Sequence, residues 1–409
     1  MTKPSSSSGR RSFLKQGAAG LAGAAFLPSL LKSGEASPVP QTTTKRKMII
    51  RPLGKTGLKL PIVSIGAASY EVSLYERALA EGIVHIDTSQ YYYNGRHEEM
   101  VGRVIAGRKR DSFVVATSVL LGNGRPGNYA TFKIEDAPKL PEQMEISLKR
   151  LGLSYVDIFY VASVADRDTA LSETLIAGLQ KIKKAGKARF IGLATHQNEA
   201  QVIRAAVESK VHDVVLAQWN FRHPQREDIK KAIAEAAAAG VGIVIMKPLA
   251  GAYWDRERTK PINGRAALKW VLQDPNVTTS VPGITTVDQL EADLSIMANP
   301  ALTPEEMTDL KLTGEPTAQA GLFCAQCGAC VEQCPKAADI PTLMRGYMYA
   351  YGYRDLGRAR GALDQTAPMD LPCGDCDVCR VKCTMGFNIK ERAMDIVRLK
   401  AVPEDFLGS

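Results

Sequence analysis

No segment of this 409-residue chain offers the run of about 20 apolar residues that a membrane-spanning helix needs. The longest candidate, Gln16 to Leu31, is interrupted by three glycines and Pro28, so no stable span is expected in the mature chain. Charge of one sign is not in great excess either: 52 Lys and Arg face 43 Asp and Glu, a formal +9 with no long basic run, which argues against nucleic acid as a partner. The composition, 45% hydrophobic and 23% charged, excludes disorder as the main state and suits one large domain plus a small one. Cysteine is absent outside two short runs, and none of the eight is left over. Also missing is a G-x-G-x-x-G after the first strand candidate, which weighs against an open dinucleotide-binding sheet.

What stands at the N-terminus is Arg10-Arg11-Ser12-Phe13-Leu14-Lys15 followed by the soft apolar stretch. It resembles a twin-arginine signal, with Gly9 where such signals most often carry Ser or Thr. The resemblance implies export to the periplasm or the outer face of the cytoplasmic membrane. Residues 1–36 are assigned to the signal, with cleavage after Ala36, and 37–47 to a linker. Removing the leader's net +4 leaves a mature chain near +5.

Each cysteine run reads C-x2-C-x2-C-x3-C: Cys324, Cys327, Cys330 and Cys334, then Cys373, Cys376, Cys379 and Cys383. Residues three apart on a turn rarely meet disulfide geometry, and a chain this large does not need stapling. Zinc knuckles use paired C-x2-C and gain nothing from a third and fourth cysteine so close behind. The spacing is that of bacterial ferredoxins with two 4Fe-4S clusters, in which the fourth cysteine of one run ligates the other cluster. That resemblance implies one cluster on Cys324, Cys327, Cys330 and Cys383 and a second on Cys373, Cys376, Cys379 and Cys334. Twin-arginine export carries folded proteins, so clusters built in a reducing cytoplasm would cross intact.

Between Met48 and about Pro300, β-branched runs alternate with helical stretches. The strand candidates are Ile62 to Ala67, Ile83 to Thr88, Phe113 to Ser118, Val156 to Val161, Ala188 to Ala194, Val214 to Gln218, Gly242 to Lys247 and Thr278 to Val281. Helices are expected at Pro141 to Leu151, Leu171 to Ala185 and Arg226 to Ala239. Eight such units predict an α/β fold, a (β/α)8 TIM barrel with its chemistry on the loops after the strands. The barrel is placed at 48–310, followed by a small α-rich ferredoxin-like iron-sulfur domain at 311–409.

The segments RPLGKTGLKLPIVSIGA, GIVHIDTSQYYYNGRHEEMVGRVI, FVVATS, VDIFYVAS, FIGLATH, AQWN, KPLAG and SVPGITTVDQLEADL resemble, in order, landmarks of the aldo/keto reductase family. With the cysteines behind them, the whole is similar to that family's iron-sulfur branch. The resemblance implies carbonyl reduction by a nicotinamide hydride, with Tyr as general acid, Lys and Asp tuning it, and His orienting the carbonyl. Asp87 and Tyr92 match DT-x3-Y. Ser118 and Ala162 stand where the family has Lys and His, which should cost ordinary carbonyl reduction several powers of ten, since an unassisted phenol is a poor acid at pH 7. His196 is the candidate substitute, whereas His85 and His97 read as structural.

On the cofactor side, Gln218, Lys247, Pro248, Leu249 and Gly283 match nicotinamide- and pyrophosphate-binding positions. Yet no Lys or Arg occurs from Asp274 to Leu310, where NADPH-preferring members grip the 2′-phosphate. NAD(P)H is therefore a doubtful cofactor: tight NADPH binding is disfavoured, and NAD(H) or no dinucleotide both remain open. The expected function is an exported oxidoreductase passing electrons between 4Fe-4S clusters and either a small-molecule carbonyl substrate or a redox partner protein at the barrel mouth. The rival is a degenerate barrel serving as a docking module, its pocket plugged by Tyr91, Tyr93 and Trp219. Two further segments read two ways: Leu121 to Lys139 as lid or idle loop, Tyr351 to Asp364 as cluster shield or partner surface. Because electron transfer requires proximity, the cluster domain should fold back onto the strands' C-terminal rim. Protein purified without air should contain about eight iron and eight acid-labile sulfide per chain, the content of two cubes; iron-free protein with cystines would contradict the cysteine reading.

Overall fold

The computed structural model describes residues 46–121, 131–132, 134–251, 253–255, 259–312, 324, 326–366, 373–374, 376–403 and 406–407. The signal assignment, most of the linker and much of the 121–139 insertion lie outside them. The described chain opens with a hairpin, β1 (Ile50–Pro52) against β2 (Lys59–Pro61), antiparallel. Its Leu53, Leu58 and Leu60 are buried among the inward-facing strand residues, and Leu53 packs on Gly242 at the start of a barrel strand. The hairpin thus stops the N-terminal end of the barrel.

The strands that follow are β3 (His85–Asp87), β4 (Val114–Leu121), β5 (Thr131–Phe132), β6 (Val156–Ala162), β7 (Ala188–Thr195), β8 (Val214–Gln218), β9 (Gly242–Met246) and β10 (Thr279–Val281). Seven of them run parallel in the order β3, β4, β6, β7, β8, β9, β10, while short β5 pairs only with the end of β4. Residues 62–65 close the ring: Ser64 N–H donates to the Ser280 carbonyl at 2.9 Å, and Asp87 N–H donates to that of Ile65 at 2.9 Å. The first strand expected from the sequence is therefore present as isolated bridges to β10 and β3.

All seven residues of β6 are buried, as expected for a strand with the barrel interior on one face and helices on the other. Ile158, Tyr160 and Ala162 join the inner cluster, whereas Phe159 and Val161 join the outer one beneath the helices. Helices Leu140–Leu151, Glu173–Lys184 and Arg226–Ala239 fall where the periodicity placed them. Gly240, at φ +84°, ends the last of these in a left-handed turn that favours glycine.

Behind the barrel come helices Ile340–Tyr347, Leu356–Leu363 and Ile389–Val397. They enclose a second, smaller core of Leu343, Met344, Tyr347, Leu363, Phe387 and Ile396, against which six of the eight cysteines pack or lie. An apolar seam joins the two parts, with Met348 set among Phe221, Ala250, Ile262, Ala266 and Leu310. Residues from Lys45 onward form one unit. No described helix is long and apolar enough to cross a membrane.

Candidate active site and cluster centres

Asp87 ends β3, Tyr92 opens the turn Tyr92–Gly95, His196 follows β7, and Lys247, Pro248 and Leu249 follow β9, with Gly283 just after β10. All seven line one cavity of about 550 Å³ at the strands' C-terminal end. Gln218, at the end of β8, is not among its lining residues. Its amide is buried, and neither end has a hydrogen-bond partner among the described residues.

Ser118 fills the lysine position without any positive charge, its hydroxyl donating to Ser89 Oγ at 2.7 Å. Ala162 is a buried member of the inner cluster. Deprived of an ammonium partner, Asp87 is pushed by burial to about 8, and its Oδ2 has no hydrogen-bond partner among the described residues. Tyr92 is held well above the ordinary phenol value by burial and by Tyr349, and Arg358 opposes the shift. His85 pairs with Ser64 Oγ at 3.0 Å, and His97 with Tyr75 Oη at 2.8 Å and Thr88 Oγ1 at 2.7 Å, both structural arrangements. His85 Nε2 and His196 Nδ1 both lack a partner among the described residues, but of the two it is His196 that lines the cavity. Burial and then the Lys247 and Arg345 charges keep its ring neutral.

Sequence reasoning missed the wall that the C-terminal helices supply. Arg358 lies 5.2 Å from the Tyr92 ring centroid, the Arg358 guanidinium is 3.3 Å from Asp355 Oδ2, and Lys247 Nζ lies 5.1 Å from the Tyr349 ring centroid. Tyr349, Tyr353 and Arg358 line the main cavity. Tyr351 to Asp364 is thus partly the far wall of the barrel mouth, a use neither expected reading had named. Its density of Tyr and Arg was the available signal. Of the three expected plugs, Tyr93 lines the open space and leaves it unfilled, Tyr91 lines a smaller neighbouring cavity, and Trp219 is buried against Trp270 with centroids 4.6 Å apart.

The cysteines divide as two crossed quartets. Cys324, Cys327, Cys330 and Cys383 line one small cavity; Cys334, Cys373, Cys376 and Cys379 line another. Cys324 and Cys330 each feel the charges of Cys327 and Cys383, whereas Cys373 feels Cys334, Cys376 and Cys379. Backbone N–H groups of Gln326 and Met385 point at the sulfurs of Cys324 and Cys383, both at 3.4 Å, as they do around cluster sulfurs. Among the described residues no three His, Cys, Asp or Glu side chains converge as a single metal ion would require. Cys327 packs on the seam beside Leu249 and Tyr353, and Cys324 acts electrostatically on Lys247, so the first quartet sits at the strands' C-terminal rim.

Residues 67–266 match the aldo/keto reductase family, and residues 323–388 match the 4Fe-4S dicluster domain. The chain carries an aldo/keto reductase domain. The aldo/keto reductase region is similar to L-glyceraldehyde 3-phosphate reductase of Escherichia coli O157:H7, at 26% identity over 323 residues, covering 64% of this chain and 92% of that protein. It is also similar to L-galactose dehydrogenase of Arabidopsis thaliana, at 29% identity over 220 residues, covering 50% of this chain and 66% of that protein. In fold, it resembles the holo form of the aldo-keto reductase AKR11C1 from Bacillus halodurans, with TM-score 0.53 and 23% identity, covering 66% of this chain and 97% of that one.

In the unfolded chain Asp87 titrates near the ordinary carboxylate value, so from there up to about 8 the folded aldo/keto reductase barrel holds a proton the unfolded chain has lost. Stability attributable to this group therefore falls as pH rises through that window. Asp87→Asn should gain stability relative to the parent, by on the order of 1 kcal/mol per pH unit across it, in denaturant unfolding from pH 5 to 8; a pH-independent difference would contradict the assignment.

Proposed function

We propose that this chain is an exported oxidoreductase of aldo/keto reductase type that passes electrons between two 4Fe-4S clusters and a small carbonyl compound at the barrel mouth. The observation that carries the reading is the cavity shared by Asp87, Tyr92, His196 and Lys247 with Tyr349 and Arg358 of the cluster domain. An open pocket with titratable groups converging on it is what turnover needs and what a docking module does not. Carbonyl and alcohol differ by two electrons and two protons, and two clusters exchanging one electron each match the electron count. The clusters, held by the crossed quartets, would supply that one-electron chemistry.

The chain's own residues supply protons and orientation. A carboxyl near 8 is better matched to work at neutral pH than a phenol pushed upward, so Asp87 is the stronger proton donor and Tyr92 acts beside it. His196, neutral with one free ring nitrogen, is suited to orient a carbonyl by hydrogen bonding. The groove also fits a nicotinamide at Gly283, where a side chain would crowd Ala68 at 3.2 Å, although Gln218, whose orphaned amide would suit a carboxamide, does not line it. The acidic stretch from Asp274 onward then favours NADH over NADPH. Export, which rests on the Arg10 to Lys15 motif, favours electrons delivered through the clusters instead.

The rival reading, a docking module without turnover, draws on Ser118 and Ala162. Cluster-loaded protein assayed with a reduced viologen or NADH against a panel of aldehydes and ketones separates the two. Turnover should appear, fall at least tenfold in Tyr92→Phe and at least a hundredfold in Asp87→Asn. Absence of both turnover and NADH binding would favour the module.

A further inference from the structure

We propose that the anionic group of the substrate, a carboxylate or phosphate, binds between Lys247 of the barrel and Arg345 of the cluster domain, beside His196. This rests on the barrel mouth being a substrate site, as argued above, and adds the substrate's chemical class.

Arg345, on helix Ile340–Tyr347, is only 6% exposed, yet its guanidinium donates to neutral oxygens alone: Thr342 Oγ1 at 3.2 Å and Gln365 Oε1 at 2.8 Å. It forms no ion pair among the described residues. Lys247 Nζ is buried without a hydrogen-bond partner among the described residues, and so is His196 Nδ1. Burial first and then the Arg345 charge hold the Lys247 amine well below its ordinary value, and both side chains act on His196. The negative groups that act on Lys247 are Cys324 and buried Glu199, the latter 3.5 Å from His223 Nε2. They moderate the field at Lys247 but give neither its ammonium nor the Arg345 guanidinium a hydrogen-bond acceptor. A buried guanidinium with no counter-charge, beside an amine that burial discourages from taking its proton, is an arrangement that an arriving anion would stabilise.

Space for that anion is present. His196 lines three cavities: the main one with Lys247, and two smaller ones of about 70 and 260 Å³, each also lined by Arg345. Neither smaller cavity includes Pro248, Leu249 or Gly283, so the Arg345 side is distinct from the groove where a dinucleotide would lie. The acids of the larger one, Asp166 and Asp339, are occupied in accepting backbone N–H bonds from Thr169 and Thr342 at helix starts. His196 borders both sides, and a guanidinium fork on one side of it with an amine on the other suits an oxyanion with two or three oxygens.

The test uses the full-length, cluster-loaded protein in isothermal titration calorimetry, with inorganic phosphate, pyruvate, uncharged methyl pyruvate and NADH as separate probes. Phosphate and pyruvate should bind and methyl pyruvate should not. Arg345→Gln, which keeps a hydrogen bond to Gln365 available, and Lys247→Met, which removes a buried amine without a hydrogen-bond partner among the described residues and so should fold, should each weaken pyruvate binding about tenfold or more. In Arg345→Gln, NADH affinity should stay within about twofold of the parent. The proposal is overturned if neither anion binds the parent, if Lys247→Met binds them unchanged, or if Arg345→Gln weakens NADH as much as pyruvate, which would make the anion a dinucleotide phosphate. A protein that binds these anions but turns over no carbonyl would remove the proposed activity and leave the site standing.

Discussion

The Arg358 guanidinium, held by Asp355 at 3.3 Å and set 5.2 Å from the Tyr92 ring centroid, fixes the cluster domain over the barrel mouth. A cation taken out of water must find partners, and this one has a carboxylate of its own helix start and an aromatic face of the barrel. The pairing constrains helix Leu356–Leu363 against the turn at Tyr92, and with it the helix bearing Arg345 and the first cysteine quartet. The Met348 seam supplies the apolar part of the same contact.

The charge balance at the mouth has been rearranged relative to the family pattern. Ser118 removes the ammonium that would have kept the Asp87 carboxyl ionised, and burial then favours its protonated form. Basic groups enter from elsewhere: Arg345 and Arg358 from the appended helices, and Lys247 after β9, whose amine burial and Arg345 hold well below its ordinary value. Under the proposed function, a site that reads as degraded within the barrel segment is completed by residues beyond it.

Much of the barrel was legible because its strands are short β-branched runs buried on both faces and its helices carry a clear apolar stripe. Val214–Gln218 and Arg226–Ala239 fall at the expected residues, the two cysteine runs were legible from local spacing, and their crossed division followed from the ferredoxin resemblance. The first barrel strand was located correctly but is only bridged, because residues 62–65 reach each neighbour through one or two backbone contacts. The β1–β2 hairpin went unforeseen, since six paired residues give too short a pattern. Arg345 and Arg358 were not legible as site residues. The barrel residues they act on, Tyr92, His196 and Lys247, lie more than 90 residues away in sequence, and no local periodicity encodes that docking. Trp219 misled for a related reason: a tryptophan after a strand looks like a pocket residue until its packing on Trp270 is known.

The docking of the cluster domain on the mouth is tested most directly by the paramagnetism of its reduced clusters. A nitroxide on an unnatural side chain at exposed Thr285, on the rim, should relax strongly when the clusters are reduced, whereas one at exposed Lys55, beside the hairpin at the barrel's other end, should relax weakly. Equal relaxation at both positions, or stronger relaxation at Lys55, would contradict the account.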